Sequence, residues 1–595
     1  MALANGEHMS LDRWSLKDLY HGYDSEEFLQ DYEHFKEMIE KIQEAALNLN
    51  RKSGKDELMN ILTLLESFQV AWAKLKYFVE LSKSVDTTDP TSTAYYGKLG
   101  LMYSSASKAM TQIYKFISTL DIDELIREDE FLSEYEFFLH EIKEKSSHML
   151  SDEAEEVMAM YDLSGGNAWE SLQEYLSSTV EVDFNGKTVT LSHIRNLAYS
   201  DDAHIRKRSY EAELASYKKI EDSVAFSLNN IKRQVNTESR LRGYDSPLDM
   251  TLHDSRMSRS TLDALISAID KHMPKFRKYM KHKANILGYQ HGLPWFELFA
   301  PMGKTSKEFT VQDAKIYLVD HFRKFSDDLA DMVIQAFDED WIDFFPRKGK
   351  VGGAFCENLP FIKQSRILTN FNGTLSDVIT LAHELGHAYH GLHIQDHRPL
   401  NTDYSMPVAE TASTFNENLI MNAALAESKD SEETLFLIES QLQDLNQIIC
   451  DIYSRFLFEK SVFEGTEHQF LFPKDLERLM LNAQDQSYGD GLDPNYRHPF
   501  MWICKSHYYS SEISYYNFPY AFGGLFARGL YAKYEKEGKD FIPKYQQLLH
   551  ATTVSSVEDV AKLCDIDLTT DKFWDDAFTS CGELIDQFIT LTSQS

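Results

Sequence analysis

Proline is the residue most at odds with a helix interior, and its placement constrains this chain more than any other single feature. Pro90 alone precedes Pro247, and the other thirteen prolines lie from Pro247 onward. With so few breaks, long helices can run through the first part of the chain. The apolar residues there have helical spacing: in ELMNILTLLESFQVAWAKLKYFVELSKSV, Leu58, Ile61, Leu65, Phe68, Trp72, Leu75 and Phe78 recur at three and four. Further helical stretches are expected near 94–118, 128–146, 152–163 and 202–238. One interruption is clear. STVEVDFNGKTVTL alternates apolar and polar residues around Asn185-Gly186, which predicts a β-hairpin near 179–191 projecting from the helical body. Farther on, RKGKVGGAFCENLPFIKQSRILTNFNG combines Gly349, Gly352 and Gly353 with β-branched and aromatic residues, so short strands and a small sheet are expected there. Neither GxxxxGK[ST] nor a GxGxxG opening a helix is present. No internal repeat or low-complexity linker marks a boundary. The expected division is a helical N-terminal region with the hairpin, 1–204, and one large unit, 205–595.

A net charge of −34 repels polyanions, so nucleic-acid binding would need a local basic patch that the sequence does not offer. Cationic or zwitterionic ligands are favoured, although surface acid also serves solubility. The five cysteines are scattered, with no CxxC pair, as expected for reduced thiols. The N-terminal MALANGEHMSLDRW has neither a basic nor an apolar signal region, and its first residues read as an added leader. No apolar run reaches about 18 residues, so no membrane span is expected. A soluble cytoplasmic protein fits these features, and they leave the oligomeric state open.

The stretch LAHELGHAYHGLHIQ holds four histidines, His383, His387, His390 and His393. Residues four apart lie one turn apart on one helix face, so His383 and His387 can reach one metal ion. Glu384 is turned about 100° from His383, which sets its carboxylate beside an open metal position rather than on the ion. Ser376 or Asp377 is a candidate cap for this helix. Zinc suits such a site and needs a third protein ligand, leaving the fourth position for water. His393 has the spacing of HExxHxxGxxH, but His390 stands where that pattern requires glycine. The alternative is a carboxylate from the following stretch PVAETASTFNENLIMNAALAES, where Glu410 and Glu417 lie seven apart on one face. Glu410 is the candidate, and His390 and His393 become bystanders.

These residues resemble a known family. HELGHAYH with ETASTFNE 27 residues after the first histidine, preceded by RILTNFNGTLSDVITLA, is similar to the oligoendopeptidase F branch of the thimet-oligopeptidase-like zinc metallopeptidases. The resemblance runs from about Ile205 to the C-terminus. It implies a predominantly α, two-lobed body enclosing a deep channel, one Zn2+ per chain on His383, His387 and Glu410, and Glu384 as general base. It also implies that Gly353 and Ala354, in GGAFCEN, offer a strand edge to the substrate backbone. KSHYYSSEISYYNFPYAFGG resembles the family's histidine and tyrosine segment, with His507, Tyr516 and Tyr520 as expected oxyanion donors among five tyrosines. Phe518 and Pro519 depart from the usual YxYQYA-like signature.

The function expected from this resemblance is hydrolysis of internal bonds in short unstructured oligopeptides. Two alternatives remain: a zinc carboxypeptidase, for which Arg347 or Arg528 would clamp the substrate's terminal carboxylate, and a peptide-binding protein with a structural zinc.

Overall fold

A computed structural model describes residues 12–49 and 54–593. Residues 1–11, which include the first residues read as a leader, lie outside the described residues. The protein is mostly helical, as expected. Helices Glu26–Leu47, Gly54–Val85 and Pro90–Ser118 build a first core. Leu58, Ile61, Leu65, Phe68, Leu75 and Phe78 from the periodic stretch are all buried in it. Pro90 opens its helix, where a missing N–H breaks no helical bond, and the Asp89 carboxylate accepts from the backbone N–H groups of Thr91 and Ser92.

The helix expected over 202–238 is two, Ala203–Tyr217 and Glu221–Leu241. The chain turns at Lys218–Ile220, where the Ile220 N–H donates back to Tyr217 O at 3.1 Å. That turn sends both Tyr217 and Ile220 into a second core running from Val180 to Phe588. The hairpin pairs β1 (Glu181–Phe184) with β2 (Lys187–Thr190), and Asn185 and Gly186 take φ of +53° and +73°. Two positive φ angles in a two-residue loop are the type I′ geometry that Asn-Gly favours. The hairpin does not project freely, because Val182 is buried in the second core beside Leu191 and Ile194.

The expected small sheet has three strands: β3 (Ile342–Asp343), β4 (Phe355–Leu359) and β5 (Gln364–Leu368). Their order is β3-β5-β4, with β5 parallel to β3 and antiparallel to β4. β4 is therefore an edge strand. Side chains alternate across a strand, and here the alternation joins the two cores: Leu368 packs in the first and Ile367 in the second. On β4, Leu359 is buried in the first core, while Asn358 faces the other way and donates to the carbonyl of His387 at 3.2 Å. The sheet is the seam between the N-terminal helices and the helix that carries HExxH.

Candidate active site

The HExxH helix spans Leu375–Ile394. Its cap is Thr374 rather than Ser376 or Asp377. The Asp377 N–H donates to Thr374 Oγ1 at 3.2 Å, and Thr374 N–H donates back to Asp377 Oδ2 at 2.9 Å, a reciprocal capping box. At Gly386, midway along, the helix meets Thr411–Glu427 at very close range. A Cβ on Gly386 would stand 2.5 Å from both Ala412 O and Ser413 Cα, so the residue between the two histidines must lack a side chain. A short helical turn, Met406–Ala409, ends just before this crossing, and Glu410 sits at the break with φ −93° and ψ 10°. The break drops the Glu410 carboxylate onto the histidine face.

His383 Nε2 and His387 Nε2 each lie 3.3 Å from Glu410 Oε2, and the three candidate ligand atoms fall within 4.8 Å of one another. Glu410 Oε2 also accepts from Ser413 Oγ at 2.7 Å. The helix Phe518–Glu537 closes over this group, since a Cβ on Gly523 would approach Glu410 Cβ to 3.2 Å. Glu417, two turns along from Glu410, pairs with His383 Nδ1 at 3.0 Å. A carboxylate on the second ring nitrogen fixes tautomer and ring plane, leaving Nε2 free for an ion. The seven-residue spacing of the two glutamates put both on the right face; it did not show that they divide the work in this way.

The electrostatics favour a cation here. Burial opposes charge on His383, yet Glu410 and Glu417 push its pKa up to about 10. Burial also opposes charge on Glu410, but the two histidines hold it well below the usual carboxylate range. Two imidazoles and a carboxylate that stabilise positive charge where their atoms converge form a donor set suited to a divalent ion such as zinc. Glu384 is buried and stays outside this triad; burial is the main cause of its raised pKa, opposed by His383 and His387 and reinforced by Glu410 and Glu417.

The other two histidines are structural. His390 is fully buried, pairs through Nε2 with Thr552 Oγ1 at 2.8 Å and stacks on Tyr404 at 4.4 Å. Burial pulls its pKa down to about 3. His393 stands edge-on to Tyr389, 4.6 Å between centroids, and burial lowers it to about 4.

Of the five tyrosines, three belong to the core. Tyr508 and Tyr509 are buried, with Tyr509 OH donating to Trp502 O at 2.7 Å, and Tyr515 stacks on Phe463 at 5.3 Å. Tyr516 and Tyr520 lie beside His507, with ring centroids 4.9 Å and 6.2 Å away. Burial, then Arg455 and Lys505, lower the His507 pKa, which keeps its imidazole neutral with one N–H to donate. Tyr520 lines a cavity of about 600 Å³ together with His383, Glu410, Glu417 and Arg528. The segment is held by Glu459, which no sequence signal singled out. This fully buried carboxylate pairs with Lys232 at 2.7 Å and accepts from Tyr515 N–H at 3.1 Å and Asn517 Nδ2 at 2.8 Å.

Gly353, with φ +78°, accepts through its carbonyl from Asn370 Nδ2 at 2.8 Å, and Ala354 leads directly into edge strand β4. Arg347 is committed to Asp343 in a bidentate pair at 2.6 and 2.9 Å. Arg528 reaches Gln441 Oε1 at 3.3 Å and keeps its place in the cavity.

Residues 196–580 match the peptidase family M3 and residues 117–181 match the N-terminal region described as Oligopeptidase F. The chain belongs to peptidase family M3. It is 24% identical over 584 residues to oligopeptidase PepF of Bacillus subtilis (strain 168), covering 94% of this chain and 84% of that protein. Its fold is that of the crystal structure of a Chlamydophila abortus protein, with a TM-score of 0.84, 21% identity and 98% of each chain covered. It is also that of oligoendopeptidase-F from Enterococcus faecium, with a TM-score of 0.71, 19% identity and coverage of 96% of this chain and 99% of that one. As an M3 member the protein is an oligopeptide-cleaving metallopeptidase. Among the described residues, no helix is long and apolar enough to cross a membrane.

Proposed function

We propose that the protein is a cytoplasmic zinc endopeptidase that cuts internal bonds of short unstructured peptides, with residues 205–595 as its catalytic unit. The observation that carries this reading is the convergence of His383, His387 and Glu410 within 4.8 Å, with buried Glu384 beside them. One zinc ion held by those three side chains would polarise the scissile carbonyl and acidify water. Glu384 takes the proton of the attacking water and passes it to the leaving amine; a carboxyl with a raised pKa suits a group that must hold a proton between those two transfers. His507, Tyr516 and Tyr520 donate hydrogen bonds to the oxyanion as it forms. Gly353, Ala354 and edge strand β4 take the substrate as an added strand through main-chain hydrogen bonds.

A carboxypeptidase reading keeps one supporting observation, Arg528 in the metal cavity. A structural zinc fits poorly, since closed sites use four protein ligands and this group has three.

The test is cleavage of quenched-fluorescent peptides by wild type and Glu384→Gln, with and without chelator, using free-acid and amidated forms and a folded protein. Internal cuts in short peptides, abolished by chelation and lowered about 10²–10⁴-fold in the variant, are expected. Trimming from the C-terminus that amidation blocks would replace this reading with the carboxypeptidase.

A further inference from the structure

A second cavity, about 370 Å³, adjoins the metal cavity. The two share Gln447 in their walls. The residue owes that position to an irregularity of its helix. The helix Ser431–Leu445 continues into Ile452–His468 through a π-helical turn, Asn446–Asp451, which widens the backbone where the two cavities meet. Such turns are frequent at functional sites.

The charges lining this second cavity pair off, with one exception. Arg206 Nε donates to Glu297 Oε2 at 2.9 Å, and Arg455 is bound to Asp451. Arg195 Nε lies 3.4 Å from Glu213 Oε1. Lys505 lines the same space, and among the described residues its ammonium has no hydrogen-bond or ion-pair partner. Burial, the leading cause, lowers its pKa, a cost that an incoming anion would offset. His498 is 1% exposed, and neither ring nitrogen makes a hydrogen bond; its nearest charged neighbour is Glu213, 3.5 Å from Nε2. Glu213 also accepts from Tyr217 OH at 2.8 Å, so this one carboxylate is shared between Arg195, His498 and that phenol. The balance is one ammonium without a hydrogen-bond or ion-pair partner, beside an imidazole whose Nδ1 makes no hydrogen bond, in a chain of net charge −34. Lys505 is half-buried and feels Asp451, which Arg455 already holds, so a peptide that displaces water from its ammonium leaves a charge that a carboxylate of that peptide would match. Trp295 and Phe299 supply apolar wall beside it.

We infer that this cavity binds a carboxylate of the peptide substrate on Lys505 and Arg195, with His498 as a further donor. The inference rests on the peptidase reading, because it makes the cavity an extension of the substrate site. Lys505 is two residues before His507, so a carboxylate anchored there registers the peptide against the segment that faces the scissile bond. The carboxylate is either the peptide's C-terminus or an acidic side chain, and the experiment separates them.

Binding is measured in the metal-loaded Glu384→Gln protein by competition against a fluorescent peptide. One pair of competitors differs only in a free or amidated C-terminus; a second, amidated pair differs only in glutamate or glutamine. The expected result is that one pair is discriminated by about ten- to a hundredfold, the range of a charged hydrogen bond. Lys505→Met should abolish that discrimination, and Lys505→Arg should keep most of it. Arg195→Met, expected to weaken it, provides a second variant if Lys505→Met does not fold. The inference is overturned if neither pair is discriminated. It is equally overturned if discrimination survives Lys505→Met, or is lost instead with Arg528→Met in the metal cavity. Wild-type cleavage of the same peptides is followed in parallel, so loss of the carboxylate site and loss of the peptidase reading give different results.

Discussion

His383 stands between two carboxylates, and His390 between a threonine hydroxyl and a tyrosine ring. The first setting favours a cation and the second disfavours one. Metal analysis after dialysis should therefore find His383→Ala, His387→Ala and Glu410→Ala depleted, and Glu384→Gln and His393→Ala near full occupancy. His390→Ala should also keep its metal while unfolding more easily by about 1–3 kcal/mol, the cost of losing the buried hydrogen bond to Thr552, whose hydroxyl keeps only Leu549 O. Metal loss on replacing His390 would mean that the helix cannot assemble the site without it. The two candidate tyrosines separate in the same way. A lost oxyanion donor costs about 10²–10³ in kcat. Tyr520 shares the metal cavity, so Tyr520→Phe should fall in that range with KM little changed. If Tyr516→Phe shows the larger loss, the donor is the ring next to His507 and Tyr520 only shapes the wall.

At the scale of elements, the site depends on how closely two helices cross. Gly386→Ala would force Thr411–Glu427 outward by its clash at 2.5 Å with backbone, carrying Glu410 away from both histidines. Weaker metal binding, together with destabilisation of about 1–3 kcal/mol, should follow. Gly97→Ala provides the contrast. That exposed helical residue has nothing within 4 Å of an added Cβ, so alanine should stabilise by about 0.5–1 kcal/mol without touching the metal. Equal effects of the two substitutions on metal affinity would discard the crossing argument. The same contrast explains what could be read from sequence. HExxH was legible because a fixed helical period carries both histidines to one place. The first-core stripe and the Asn-Gly turn were legible for the same local reason. The Thr374 cap was displaced by two or three positions because threonine, serine and aspartate all occur within four residues. Glu459 left no trace, since its partner Lys232 is 227 residues away in sequence and only folding brings the pair together. Strand β3 was missed because two residues make no period.

Over the whole molecule, the three-stranded sheet joins the N-terminal helices to the HExxH helix, and one of its residues is expected to make that junction sensitive to pH. Glu357 points from β4 toward the helix Gly54–Val85, with Lys76, Tyr77, Glu80 and Asp403 around it. Burial is the main cause that lifts its pKa to about 7; Lys76 opposes the shift and Glu80 adds to it. A carboxyl whose pKa is raised by folding prefers to be protonated in the native state. Its contribution is intact below the unfolded value near 4.5 and is lost as pH climbs through about 7. Glu357→Gln keeps the shape of the neutral acid and cannot ionise. It should match wild type in thermal unfolding at pH 4.5 and exceed it at pH 8 by an amount on the order of 2 to 3 kcal/mol. With β4 taking the peptide along its free edge as proposed, the variant should hold peptide affinity steady from pH 6 to 8 where wild type weakens. If both proteins unfold in parallel across that range, Glu357 is already ionised in the native protein, and Lys76 balances it fully.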